Sequence, residues 1–270
     1  MNDFLENDAN SDNFSNPDSP FDQFSQNPWL KILFLPGCFL LAAITESSGL
    51  IRWLSFGFGH WFHEIGHSLF AWLSGRASIP LLGFAPMSLD KSIFTYLCAL
   101  FLIGVIGVQG YRYKSPYLIF IAAALFIAQC FYTFIASHQA WEMSMVYGGV
   151  GGEFILSSIF IAAFSVHIPT PTYWPLLRFI VVPWSVISFW QSFMLWLHIY
   201  RSEALIPWGT IWGGEEDTNG DMNRLHLEFG FSRENLASTY VTTATICLVF
   251  IGIVYLISAV PAVQKILKSK

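Results

Sequence analysis

Charged side chains are scarce in this chain. Only 11% of its 270 residues are Asp, Glu, Lys or Arg, where an ordinary globular domain carries about 25%. That is too little charge to wet a soluble sphere of this size, and 54% apolar residues are too many for a disordered chain. Cysteine is sparse too. Cys38, Cys98, Cys130 and Cys247 fall in separate apolar stretches, which excludes a disulfide framework or a zinc ribbon. Basic residues are few, and a net charge of −5 leaves no groove for nucleic acid. No basic segment precedes an apolar run at the N-terminus, so no cleavable signal peptide is expected. Nucleophile-elbow, P-loop and dinucleotide motifs are absent as well.

What is present is apolar and aromatic. The mean hydropathy is +0.52, and the chain holds 26 Phe and 11 Trp. Trp and Tyr gather at membrane interfaces, and runs of spanning length recur from Trp29 onward. The pattern predicts an all-α, polytopic membrane helix bundle of about seven spans, at 30–46, 51–74, 92–110, 116–137, 150–168, 176–199 and 240–260. The first is short and interrupted by Pro36-Gly37. The chain is expected to be an integral, multi-pass protein of a cell (inner or plasma) membrane, with the lipid bilayer as its surroundings.

The rest of the chain divides around this body. Residues 1–28 are rich in Asn, Asp, Ser and Pro without Lys or Arg, and read as a disordered acidic tail. Residues 29–262 form the membrane-embedded domain, and 263–270 a basic tail. The segment following Gly75, through Pro80, Gly83 and Pro86, is too rich in Gly and Pro for a helix yet apolar. It is expected to be re-entrant, buried in protein at membrane depth. One long polar loop, 201–238, holds Glu215, Glu216, Asp217, Asp221 and His226, and such a loop in a compact protein is functional or disordered.

The sharpest motif is His63-Glu64-Ile65-Gly66-His67. On a helix, histidines four apart project from one face a turn apart. Both imidazoles can then reach one Zn2+ ion, while the adjacent Glu64 addresses the attacking water as general base. His60, His63, Glu64, His67 and Ala71 share a stripe. In an apolar spanning helix such a stripe must face the bundle interior. A chance match has an expectation of roughly 0.007 at this composition, so the metal site is favoured over buried structural histidines.

His63-Glu64-x-Gly66-His67, followed by Ala71, Gly75 and Gly83-Phe84-Ala85-Pro86, resembles the site-2 protease family of intramembrane zinc metalloproteases. The likeness covers about residues 62–86. It implies Zn2+ on His63 and His67, Glu64 as catalytic base, and a transmembrane or membrane-proximal peptide as substrate. The segment after Gly75 would offer an edge to an extended substrate strand.

The late Leu-Asp-Gly that supplies the family's third ligand is missing, and two residues compete for the role. Asp221, in Gly220-Asp-Met-Asn-Arg-Leu225, resembles a late Asp-x-x-x-Leu segment of distant members, and reads equally as the N-cap of a short helix ended by Gly230. Glu153 follows Gly148-Gly-Val-Gly-Gly152, where small residues would bring its helix against the zinc helix. It reads equally as an interfacial carboxylate paired with Arg178 or Arg201. His60, His138, His198 and His226 are secondary, supporting candidates. Two other functions compete. One is a non-catalytic membrane scaffold or transporter that keeps the motif helix. The other is a membrane di-iron oxygenase, for which seven scattered histidines are few.

Overall fold

The computed structural model describes residues 27–46, 48–165, 174–210 and 212–268. The acidic tail expected at 1–28 lies almost wholly outside them, as does His167. The described residues form an all-α bundle with one two-stranded sheet. Its helices are α1 (Pro28–Thr45), α2 (Gly49–Leu73), α3 (Ile93–Arg112), α4 (Pro116–Cys130), α5 (His138–Ser165), α6 (Trp174–Tyr200), α7 (Asp221–Leu227) and α8 (Arg233–Lys268). Among the described residues, six helices are long and apolar enough to cross a membrane: α1, α3, α4 with its π-helical extension, α5, most of α6, and α8. The motif helix α2 is not among the six, although it has 25 residues. The cluster His60, His63, Glu64 and His67 lowers its hydropathy.

Pro36 does not break α1, which is a single helix through that residue. Proline removes the hydrogen bond to the carbonyl four residues back, here that of Ile32. The Tyr255 hydroxyl of α8 donates to that carbonyl at 2.8 Å, so a neighbouring helix satisfies the freed acceptor. Beyond α4, the chain turns through a π-helical segment, Phe131–Ile135. Its Thr133 hydroxyl donates to the Leu73 carbonyl at the end of α2.

The central helix is α5. Two thirds of its apolar window is buried (67%), against 11% for α3 and for α4, which expose Phe94, Phe101, Phe120 and Ile127 at the periphery. The fifth span was expected from Val150, but α5 begins twelve residues earlier, at His138, with the Ser137 hydroxyl accepting from the Ala140 N–H. Gly148-Gly-Val-Gly-Gly152 therefore lies mid-helix, and Glu153 does not begin the span. Each helical glycine costs about 1 kcal/mol relative to alanine, and close helix contact offsets that cost. A Cβ on Gly66 would strike the Gly148 carbonyl and the Gly152 Cα, so α2 and α5 touch backbone to backbone. Trp141, Phe154, Ile161, Phe189, Trp196 and Tyr240 fill the core between α5, α6 and α8.

The segment after α2 is a β-hairpin, and most of it is not buried in the protein as expected: Ile79, Leu82, Phe84 and Leu89 are exposed, because the hairpin packs on the end of α2 and α3 with its outer face uncovered. Strand β1 (Arg76–Ser78) pairs antiparallel with β2 (Met87–Lys91), Arg76 opposite Lys91 and Ser78 opposite Met87. Gly75 and Gly83 hold φ of 80° and 89°, where side-chain-bearing residues are strained. The polar stretch 201–238 is less of a loop than its composition suggests. It closes a small turn between Thr210 and Gly214, forms α7, and enters α8 at Arg233. At the other end α8 runs to Lys268, so most of the basic tail continues that helix.

Candidate metal centre

Three side chains from two distant parts of the chain meet between α2 and α5. His63 Nε2 lies 2.9 Å from Asp221 Oδ2, and His67 Nε2 lies 3.1 Å from the same oxygen. The two imidazole rings are 4.8 Å apart at an interplanar angle of 80°. Their ligand atoms all fall within 4.8 Å of one another, a group that could hold one metal ion. Helical spacing brings the histidines together. The short helix α7 brings Asp221, as its first residue. Its N-cap is Gly220, so the Asp221 carboxylate faces the histidines instead of capping the helix.

The remaining ring nitrogens are also occupied. His67 Nδ1 is 2.7 Å from the Met145 carbonyl. A carbonyl only accepts, so Nδ1 carries the proton. His63 Nδ1 is 2.9 Å from Glu153 Oε1, and a carboxylate likewise accepts. In neutral rings both Nε2 atoms then present lone pairs to Asp221. Burial pushes the Asp221 carboxyl up, but His67 and His63 outweigh it and hold the group well below the usual carboxylate range. Three electron-pair donors thus converge on one point. Protons on the Nε2 atoms, or a cation among the three groups, relieve that repulsion.

Glu64 is 5% exposed and lines the same cavity of about 610 Å³ as His60, His63, His67 and Asp221. Apolar walls come from the hairpin (Phe84, Met87), from α5 (Trp141, Met145, Val150), and from α6 (Leu195, Trp196). His67 lies six residues before the end of α2, about 9 Å along the axis.

Both third-ligand candidates reach the centre, on different sides of His63. Asp221 faces Nε2 of both rings. Glu153 faces only His63 Nδ1 and accepts from the Ser192 hydroxyl, so its partners are neither Arg178 nor Arg201. His60 lies alongside, 6.1 Å from the His63 ring, outside the ligand group. Three other histidines stand apart. His138 contacts Arg76 and Glu142, His198 pairs with Glu203, and His226 meets the Phe231 carbonyl.

Three supports carry little or no sequence signal. Arg224 reaches Glu142 of α5 at 2.6 Å and also grips Glu228, tying α7 to the bundle. Ser192 gave only the faint signal of a hydroxyl in an apolar helix, and Met145 contributes a carbonyl, which no residue type announces. Comparison with family models, curated proteins and solved structures finds no match to this chain.

Proposed function

We propose that the chain is a membrane-embedded zinc metalloendopeptidase, cutting a transmembrane or membrane-proximal peptide. The observation that carries this reading is the convergence of His63 Nε2, His67 Nε2 and Asp221 Oδ2 beside Glu64 in one cavity. Two imidazoles and a carboxylate, with a fourth position facing a cavity, are the donor set of catalytic zinc sites. Both Nδ1 atoms are held by acceptors, which leaves the Nε2 atoms available, so the residues fit the ion. His63, His67 and Asp221 would hold it.

Zinc, when bound, lowers the pKa of its water to about 7 and polarises a scissile carbonyl. Glu64 takes the proton from the attacking water and passes it to the departing amine. The apolar walls and the hairpin offer an extended peptide a surface beside Glu64. In this reading α2 is a seventh span, shielded by α5, and the hairpin lies at membrane depth in a cell membrane. The likeness of 62–86 to site-2 proteases supports the choice of a peptide substrate.

The same donor set also suits ferrous iron in mononuclear oxygenases. Glu64 beside the cluster favours hydrolysis, since a general base has no obvious part in oxygen activation. A di-iron centre has less support: one ligand group is found among the described residues. The test is Glu64→Gln in detergent-purified protein, with metal content and cleavage of a fluorescent transmembrane reporter peptide both measured. The variant is expected to keep one zinc and lose cleavage. Full cleavage by Glu64→Gln would refute the protease mechanism. Zinc retention with no cleavage even by wild type across a reporter panel would favour a scaffold or transporter.

A further inference from the structure

Glu153 has a place in the site that neither the HExxH motif nor the zinc-ligand set explains. It projects from the middle of α5, just past the glycines that let α5 lie against α2. Its Oε1 lies 2.9 Å from His63 Nδ1. Its other oxygen, Oε2, accepts from the hydroxyl of Ser192 on α6, itself buried. Three helices thus contribute one link each to a chain Ser192–Glu153–His63, which ends at a nitrogen facing Asp221.

The two nitrogens of an imidazole point away from each other. A carboxylate bonded to Nδ1 cannot share an ion held at Nε2 of the same ring unless the ring turns over. Asp221 already occupies the Nε2 side of both histidines. The two rings are held differently: His67 by a neutral carbonyl, from Met145, and His63 by a carboxylate. A carboxylate on the far nitrogen fixes the tautomer and ring angle and makes the metal-facing nitrogen a stronger donor.

We infer that Glu153 is a positioning residue for the metal, not a ligand, and that Ser192 sets its orientation. The inference rests on the zinc reading above. It assigns α6 a part in metal affinity, although α6 supplies no ligand.

The full-length chain, purified in detergent, tests this by competition with a chromophoric chelator for Zn2+ and by the visible absorption of bound Co2+. Glu153→Gln is expected to bind one ion per chain at saturation but about 10–100-fold more weakly, with an altered cobalt spectrum. Ser192→Ala should weaken binding by a few-fold, in the same direction. Wild-type affinity and cobalt spectrum in both variants would show that Glu153 only packs, and would overturn the inference. Loss of all binding by folded Glu153→Gln at saturating metal would overturn it too, by making Glu153 a ligand. Should Glu153→Gln fail to fold, Ser192→Ala decides the matter alone. A wild type that binds no metal, or a His67→Ala variant that binds as wild type, would instead remove the zinc reading and this inference with it.

Discussion

His63 Nε2 and Asp221 Oδ2 lie 2.9 Å apart although 158 residues separate them in the chain. The contact ties the motif helix to a seven-residue helix within a polar excursion, and makes Asp221 the residue on which the proposed metal site turns. Replacing it with Asn keeps the shape and removes the charge. Losing one of three protein ligands should cost most of the metal affinity, whereas loss of a helix cap would cost only about 0.5–2 kcal/mol of stability. Asp221→Asn is therefore expected to strip the metal while the fold persists. Elemental analysis beside a thermal melt checks this, and full metal occupancy in the variant would count against Asp221 as ligand.

The glycines of α5 give a steric prediction. An alanine at Gly149 would place its Cβ 2.5 Å from His63 Nε2 and 2.7 Å from Asp221 Oδ2. Alanine gains about 1 kcal/mol in helix propensity over glycine, but overpacking of about 1–3 kcal/mol outweighs it. Gly149→Ala should weaken metal binding more than it lowers the melting point of the metal-free protein. Gly66→Ala meets backbone rather than side chain, and should destabilise the fold itself. Equal melting points for Gly66→Ala and wild type would show that α2 and α5 are less tightly apposed.

Arg224 holds α7, which carries Asp221, to α5 through Glu142. The pair is partly exposed, so its worth is about 1 kcal/mol at most. Removing it leaves Asp221 in place but less constrained. Arg224→Ala is expected to weaken metal binding by about two- to fivefold, measured by chelator competition. An unchanged affinity would show that the rest of the loop positions Asp221 unaided.

The Tyr255 hydroxyl on the Ile32 carbonyl gives a prediction independent of the metal. Tyr255→Phe should cost about 0.5–1.5 kcal/mol. In a Pro36→Ala background the helix supplies its own donor to that carbonyl, and the cost should shrink. A double-mutant cycle in thermal unfolding measures the coupling. Strict additivity would mean that the bond does not compensate for the proline.

Membrane topology decides whether α2 crosses the bilayer. With seven spans, single cysteines at Ser19 and Asn219 label from the same face of sealed vesicles. With only the six apolar helices crossing, they label from opposite faces, and a membrane-impermeant maleimide distinguishes the two.

Much of this architecture follows from local pattern. Apolar runs located the long helices, and the four-residue spacing of His63 and His67 put both on one face before any fold was known. Three features did not follow. The start of α5 was misplaced because residues 138–149 mix polar and apolar side chains, and the glycine run reads as a boundary until the packing of Gly66 against it is seen. Pro36 reads as an interruption because the compensating hydroxyl comes from α8. The choice between Asp221 and Glu153 was open because both are lone carboxylates near glycines. Only the fold puts one on the Nε2 side of His63 and the other on the Nδ1 side.

Metal content tests the central claim most directly. The full-length protein, gently purified without chelators or a histidine tag, would be assayed by elemental mass spectrometry beside His67→Ala. The account predicts close to one zinc per chain in the wild type and close to none in the variant, with both proteins folded. Equal zinc in the two proteins, no metal in either, or iron in place of zinc would contradict it.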